Sequence, residues 1–418
     1  MKIEDLALQR SKYKHLSDDE WRWFLQQEEG RERTADKLPT FAAIDDWWYP
    51  VRLSCEQCSS ELAARYKASL CSVSPKDGLC SVRRNRSLLD LTGGYGVDTY
   101  FLSEQFEQTD YVEQNAELCR IATHNFSLID NRKSIIVNHT TAEDFLSSLS
   151  WEVGRGYDLI FLDPARRDSH GGKVFRLEDC TPNVVELLPT LLEHGKRLMI
   201  KLSPMLDLSQ AIRELSLVHR TSVLRTLSWD IYVVAIKNEV KEVLLLSRES
   251  RTKSQEPIIT AIDLAQKDQA FVFTKEEESN SEAVQQCNGL TAKRSFSPKD
   301  GQEKQSLFLY EPNAAILKAG AYKLIAERFG VQKLDVNTHL YCSDSLVPNF
   351  PGRVFKALPY REGLGVGSHA NILTRNYPLT PEQLKKKLHL RDGGTAYVIG
   401  CRVNGKPTLF EAERVTFA

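Results

Sequence analysis

LLDLTGGYGVDTYFL, residues 88–102, decides the fold. An apolar run ends in Asp90, passes through Thr92, Gly93, Gly94 and Gly96, and gives way to an amphipathic stretch from about Val97. Glycines suit that place because the backbone must turn sharply between a strand and a helix, and because a ligand can then approach with no Cβ in the way. Outward from it the pattern repeats. Short apolar runs, TDYVE (109–113), SIIVN (134–138), YDLIFLD (157–163) and RLMIKL (197–202), alternate with amphipathic stretches. Such alternation predicts an α/β class with a doubly wound sheet. IYVVAI (231–236) and EVLLLS (242–247), joined by KNEVK, predict an antiparallel hairpin at the sheet edge.

The chain has 418 residues, enough for two or three domains, with 41% apolar and 27% charged residues. That composition excludes a disordered or fibrous chain. No apolar run reaches the roughly 18 residues of a transmembrane helix, and MKIEDLALQRSKYKH lacks the apolar core of a secretory signal. The expectation is a cytoplasmic protein without membrane contact, its nine cysteines reduced. Overall net charge is −1, but residues 88–250 carry 17 basic and 24 acidic residues (−7), and residues 307–418 carry 15 and 9 (+6). An acidic middle with a basic end suits a small-molecule site followed by a surface for a polyanion.

Glu113 ends the second predicted strand, 19 residues after Gly94, where a carboxylate takes the hydroxyls of a ribose. With the glycines it makes a nucleoside pocket. A nicotinamide dinucleotide would want a third Gly or Ala where Thr99 stands, and a helix start free of negative charge for pyrophosphate. Asp90 and Asp98 instead flank the loop. Their charge repels pyrophosphate and suits the ammonium and sulfonium of S-adenosyl-L-methionine. The bland reading is a structural glycine turn.

YDLIFLDPARRD, residues 157–168, is the second signal. The end of a fourth strand faces the same crevice as the glycine loop. Asp163 and the Pro164 carbonyl would orient a nucleophile or accept its proton, and Arg166 and Arg167 would hold a substrate phosphate or carboxylate. Alternatively the arginine pair is a solvated turn tied to Asp168, Glu178 or Asp179.

Over residues 88–247 these motifs resemble class I S-adenosylmethionine-dependent methyltransferases: Asp90, Gly94 and Gly96 in the glycine motif, Glu113 as the ribose carboxylate, Asp163-Pro164 in the fourth-strand motif. The resemblance makes Asp144, in TTAEDFL (140–146), a candidate for the adenine amino group. Ala165 and Arg166 stand where amino-methylating members have a second Pro and an aromatic residue. Across its length the chain resembles bacterial methyltransferases with a C-terminal THUMP-like domain, through LSCEQCSSELAARYKA (53–68), KLSPMLDLS (201–209), YEPNAAILKAGAY (310–322) and FPGRVF (350–355). That resemblance implies an N-terminal helical domain (1–87), a Rossmann-like methyltransferase core (88–250), a polar insertion with a small ferredoxin-like piece (251–335), and a THUMP-like domain (336–418). The C-terminal region would then be α+β, with RNA as partner.

Other features are local. Ser17 with Glu20, and Ser54 with Gln57, predict helix starts; Gly30 would close the first helix, and Cys58, Leu62, Tyr66 and Leu70 would share a face of the second. A third helix is expected from Asn313 to Gly330, and a fourth from Thr380 with Pro381 first. Cys55 and Cys58 have no second pair at zinc spacing, so no metal is expected. Lys385, Lys386, Lys387, His389 and Arg391 would meet phosphates or form an ordinary solvated face. Trp47, Trp48 and Tyr49 would stack on a base or fill a core. The expected function is a methyltransferase acting on structured RNA; the alternatives are a small-molecule or protein methyltransferase, or a cofactor-binding module without turnover.

Overall fold

The computed structural model describes residues 3–72, 86–129, 134–149, 156–166, 176–221, 227–249, 256–266, 270–282, 307–360 and 364–416. The chain divides into two compact units, one of residues 1–230 with 242–255, the other of 231–241 with 256–418.

In the first unit the strands are β1 (Ser87–Asp90), β2 (Gln108–Glu113), β3 (Ser134–His139), β4 (Leu159–Leu162), β5 (Leu198–Leu202), β6 (Leu227–Ile236) and β7 (Glu239–Glu249), the last two passing between the units. All but β6 lie in the order β7, β5, β4, β1, β2, β3. From β5 to β3 all pairs are parallel, whereas β7 joins β5 antiparallel through Val243–Leu246. Leu88, Leu89 and all four residues of β4 are buried, as expected of strands covered on both faces. The order reverses after β1, so the loops leaving β1 and β4 open a crevice at the carboxyl ends of the strands.

The N-terminal helices, expected as a domain of their own, share a core with the loop and helix after β1 and the helix after β2. Leu38, Phe41, Trp47 and Tyr49 pack with Tyr95, Val97, Phe101 and Ile121, and the Trp47 indole donates to the Tyr95 hydroxyl at 2.9 Å. Each such buried aromatic contributes about 1.5–3 kcal/mol. Ser17 and Glu20 form the expected capping box, but the helix Asp18–Thr34 runs through Gly30. There a Cβ would lie 2.2 Å from Tyr49 Cβ, so glycine serves close packing and not termination. The second expected helix is two. Arg52–Gln57 ends at an extended Cys58, and Ser60, whose hydroxyl accepts from the Ala63 N–H, starts Glu61–Leu70.

In the second unit Ile258–Asp263 pairs in parallel with residues 231–235 and antiparallel with Phe271–Thr274. The hairpin is therefore not a sheet edge: a later strand covers its exposed backbone. Its turn, Lys237-Asn238, has φ of 53° and 62°, the two-residue form that matches strand twist. A seven-stranded sheet follows, in the order Gln332–Asp335, Thr338–Ser343, Leu307–Pro312, Gly352–Pro359, Lys406–Val415, Ala396–Val403, Asn371–Arg375. Its one parallel pair, the last two, is joined by a crossover containing the helix Pro381–Leu388, started by the Thr380/Gln383 capping box. The helix expected over 313–330 is broken at Gly320 (φ 86°) into Ala314–Ala319 and Leu324–Phe329.

Among the described cysteines, 55, 58, 71, 119, 180 and 401 are free thiols, while Cys342 is disulfide-bonded, against the expectation of thiols alone. Among the described residues no helix is long and apolar enough to cross a membrane.

Candidate functional site

The crevice holds a cavity of about 310 Å³. Its floor is the loop between β1 and the helix Val97–Leu102. Gly94 and Gly96 adopt φ of 56° and 83°, a region that favours glycine. Gly93 is packed: a Cβ would sit 2.1 Å from the Tyr111 ring, whose hydroxyl donates to the Gly94 carbonyl at 2.6 Å. At Gly94 a Cβ would meet only the Thr92 carbonyl, at 3.8 Å. The loop is thus pinned from beneath and open above.

Asp90, 1% exposed, accepts from the Thr92 N–H at 3.0 Å and the Thr99 hydroxyl at 2.6 Å. Burial pushes its carboxyl up to about 7. The Thr92 hydroxyl in turn accepts from the Asp163 N–H at 2.6 Å, tying the end of β4 to the loop after β1. Glu113 accepts from the Gly94 N–H at 2.9 Å and the Asn115 N–H at 2.8 Å. A carboxylate has about four acceptor positions, so two hydroxyls of a ligand remain acceptable to it.

Asp98 departs from expectation. Its carboxylate does not stand free beside the loop: Ser59 donates to it at 2.7 Å, and the ammonium of the fully buried Lys67 lies 3.1 Å away. Burial alone would raise this carboxyl, but Lys67 and Lys201 outweigh burial and hold it below its ordinary range. Lys67 also meets both oxygens of Glu242 at 2.7 Å. A second lysine, Lys201 at the end of β5, is bonded to the Asp163 carboxylate. Burial works against its ammonium, yet Asp163, Asp98 and Glu242 raise it above the ordinary lysine range. With Asp98 paired and Asp90 raised, the charge contrast expected around the glycines is smaller than their sequence suggests.

Asp90, Thr92, Gly93, Gly94, Gly96, Asp98, Glu113 and Asp163 all line the cavity. Thr99 stands behind it, completing the Asp90 carboxylate. Asp144 is exposed on the helix Ala142–Ser148 and is not in the lining; its neighbours Thr141, Ala142 and Glu143 are. Pro164 lies beside the lining residues Asp163 and Ala165. The backbone of Arg166 pairs with Cys180, while Arg167 and Asp168 lie outside the described residues. Glu178 is paired with Arg176 at 2.7 Å. Trp47 and Tyr49 are core, and Trp48 is stacked on His124 at 3.6 Å.

Sequence reasoning did not place the N-terminal wall of the cavity, Ser54, Gln57, Cys58 and Ser59, nor the lysines behind it. Lys67 carried a signal: it shares the buried face of its helix with Ala63, Ala64 and Ala68, and a lysine on such a face needs a carboxylate partner.

Residues 308–351 match a ferredoxin-like domain family and residues 351–414 a family described as THUMP domain-like. The C-terminal part is thus a ferredoxin-like domain followed by a THUMP-like one. Over its length the chain is similar to a protein of Porphyromonas gingivalis W83 described as a "putative methyltransferase", with 29% identity over 96% of this chain and 92% of that one, and a TM-score of 0.74. Another so described, from Streptococcus mutans in complex with SAH, has 14% identity over 40% of this chain and 90% of that one, with a TM-score of 0.29. An rRNA methylase from Streptococcus thermophilus has 14% identity over 40% and 89%, with a TM-score of 0.28. Neither of these two likenesses bears on the chemistry. No curated protein matches the chain.

Proposed function

We propose that this chain is a methyltransferase that uses S-adenosyl-L-methionine and acts on structured RNA in the cytoplasm. The observation that carries the reading is the glycine loop, held from beneath by Tyr111 and open at Gly94, with the Glu113 carboxylate on its rim. These residues fit a nucleoside cofactor. Glu113 would take the ribose hydroxyls, and Thr141 to Glu143 would form the wall for the base. Ser54, Gln57 and Ser59 would offer polar groups to the amino-acid end. The cofactor supplies a methyl group activated by its sulfonium. What the chain supplies is position, since in-line attack by a well-held nucleophile needs few acid or base groups. Asp163, Pro164, Arg166 and Arg167 remain our candidates for the acceptor side.

RNA as acceptor is supported by the THUMP-like domain and by the +6 charge of residues 307–418. On the helix Pro381–Leu388 and just after it, Lys386, Lys387, His389 and Arg391 are exposed. Lys385 is instead tied to Asp392 at 2.5 Å. The test is methyl transfer from tritium-labelled cofactor into RNA, protein and small-molecule fractions of a strain lacking this protein. Label in RNA is expected. Label confined to protein or to small molecules would overturn the RNA acceptor and keep the methyltransferase.

A further inference from the structure

We propose that the acceptor atom is a hydroxyl oxygen, with Asp163 taking its proton and Lys201 acting as the charge partner of that carboxylate. This rests on the methyltransferase reading and goes beyond it to the class of nucleophile.

Among the described residues the carboxylates lining the cavity are Asp90, Asp98, Glu113, Glu143 and Asp163, and they are not equivalent: Glu143 lies on the helix Ala142–Ser148, in the wall assigned to the base. Asp90 is occupied by the Thr92 N–H and the Thr99 hydroxyl, Glu113 by the Gly94 and Asn115 N–H groups, and Asp98 by Ser59 and Lys67. Asp163 is held differently. Its side chain is 39% exposed at the cavity and its bonded partner is the ammonium of Lys201, itself 12% exposed. The Asp163 backbone is fixed by the Thr92 hydroxyl, so the carboxylate has a set place at the end of β4.

An ammonium in contact with the acceptor-side base discriminates between nucleophiles. A nitrogen acceptor becomes positive as it is methylated, and a neighbouring ammonium opposes that charge. A hydroxyl oxygen must lose a proton and passes through negative charge, which the same ammonium favours. Among the described residues of the lining the one thiol is Cys58, and burial raises it, which disfavours the thiolate that carbon methylation would need. The step then balances on this chain's own groups. The hydroxyl proton goes to the Asp163 carboxylate, and the oxygen's electron pair forms the new carbon–oxygen bond. The electrons of the broken carbon–sulfur bond leave with a neutral thioether. Once Asp163 is protonated, the Lys201 charge faces the reacting oxygen. Lys201 is thus a positioning residue acting through Asp163.

The test uses the full chain and its Asp163→Asn, Lys201→Met and Lys201→Arg variants. Calorimetry with S-adenosylhomocysteine, the methyl-free cofactor, reads the site apart from turnover; all four proteins should bind within about threefold of one another, as groups that act on the transition state allow. Turnover at saturating cofactor should fall about 100-fold or more in Asp163→Asn and in Lys201→Met, with partial recovery in Lys201→Arg, because a guanidinium keeps the charge. The methyl label should be an ether, released as volatile methyl iodide by hot hydriodic acid and stable to mild alkali. Label on nitrogen or carbon, label released by alkali as an ester, or undiminished turnover in Lys201→Met would overturn the proposal. Binding of S-adenosylhomocysteine without transfer to any fraction would overturn it together with the enzyme reading. A wild-type chain that binds no S-adenosylhomocysteine would instead overturn the cofactor reading from which both start.

Discussion

The ammonium of Lys67, on a helix near the N-terminus, lies 2.7 Å from each carboxylate oxygen of Glu242, which is 3% exposed. A charge taken wholly out of water is tolerable only because its partners are in place, here Glu242, Asp98 and Ser59. Removing one partner leaves the others uncompensated. Lys67→Met should destabilise the chain by about 3–5 kcal/mol, read as a lower urea midpoint, and Lys67→Met with Glu242→Leu should recover part of that loss. An unchanged midpoint in the single variant would mean that water reaches the pair.

The Asp90 carboxyl, raised to about 7 by burial, sets a pH dependence with a definite sign. The folded chain binds this proton more tightly than the unfolded chain, whose group has the ordinary value of 3.8. Its contribution to stability is fully present below about pH 4 and is lost as pH rises toward 7. Asp90→Asn keeps an acceptor for the Thr92 N–H and a group to pair with Thr99, so it should flatten the stability profile across that window. Chemical denaturation of both proteins from pH 4 to 8 measures it; parallel profiles would show that Asp90 does not titrate there.

Gly94→Val would place a β-branched side chain at φ of 56° on the open side of the loop, while Glu113→Ala removes the carboxylate at its rim. Hydrogen bonds to a charged group are worth roughly 1.5–3 kcal/mol, so each variant should bind S-adenosylhomocysteine about 10- to 100-fold more weakly. Thermal unfolding of the same variants separates binding from folding. Affinity within a factor of two of wild type in both would remove the cavity as the cofactor site.

Charge reversal of Lys386, Lys387 and Arg391 together should lower RNA affinity and flatten its dependence on salt between about 50 and 200 mM, because each lost phosphate contact removes a released counterion. Lys385 is left out because Asp392 already holds it. A triple variant with the wild-type salt slope would place the polyanion surface elsewhere.

Much of the site was legible because it is local. The glycines, Asp90 and Thr99 lie within ten residues of one another, and Glu113 follows one strand later, so spacing alone brings them together. Asp144 came from a stretch with two acidic residues side by side, and of the two it is Glu143 that stands in the cavity lining. Lys201 and Glu242 escaped because their partners are far along the chain, while Lys67 signalled by its buried helix face that it needs a carboxylate but not which one. Cap chemistry predicted the helix starts at Ser17, Asn313 and Thr380 correctly. At Ser54 the same reading failed, since Ser60 offers a second cap six residues on and the backbone takes it.

The distance along the chain between Lys67 and Glu242, 175 residues, gives synthesis a schedule. At roughly 5–20 residues per second, the helix that carries Lys67 leaves the ribosome on the order of ten to thirty seconds before Glu242. During that interval Asp98 and Ser59 can already meet the ammonium, but its full set of partners waits for Glu242. The charge on this helix is thus matched last, by the strand Glu239–Glu249.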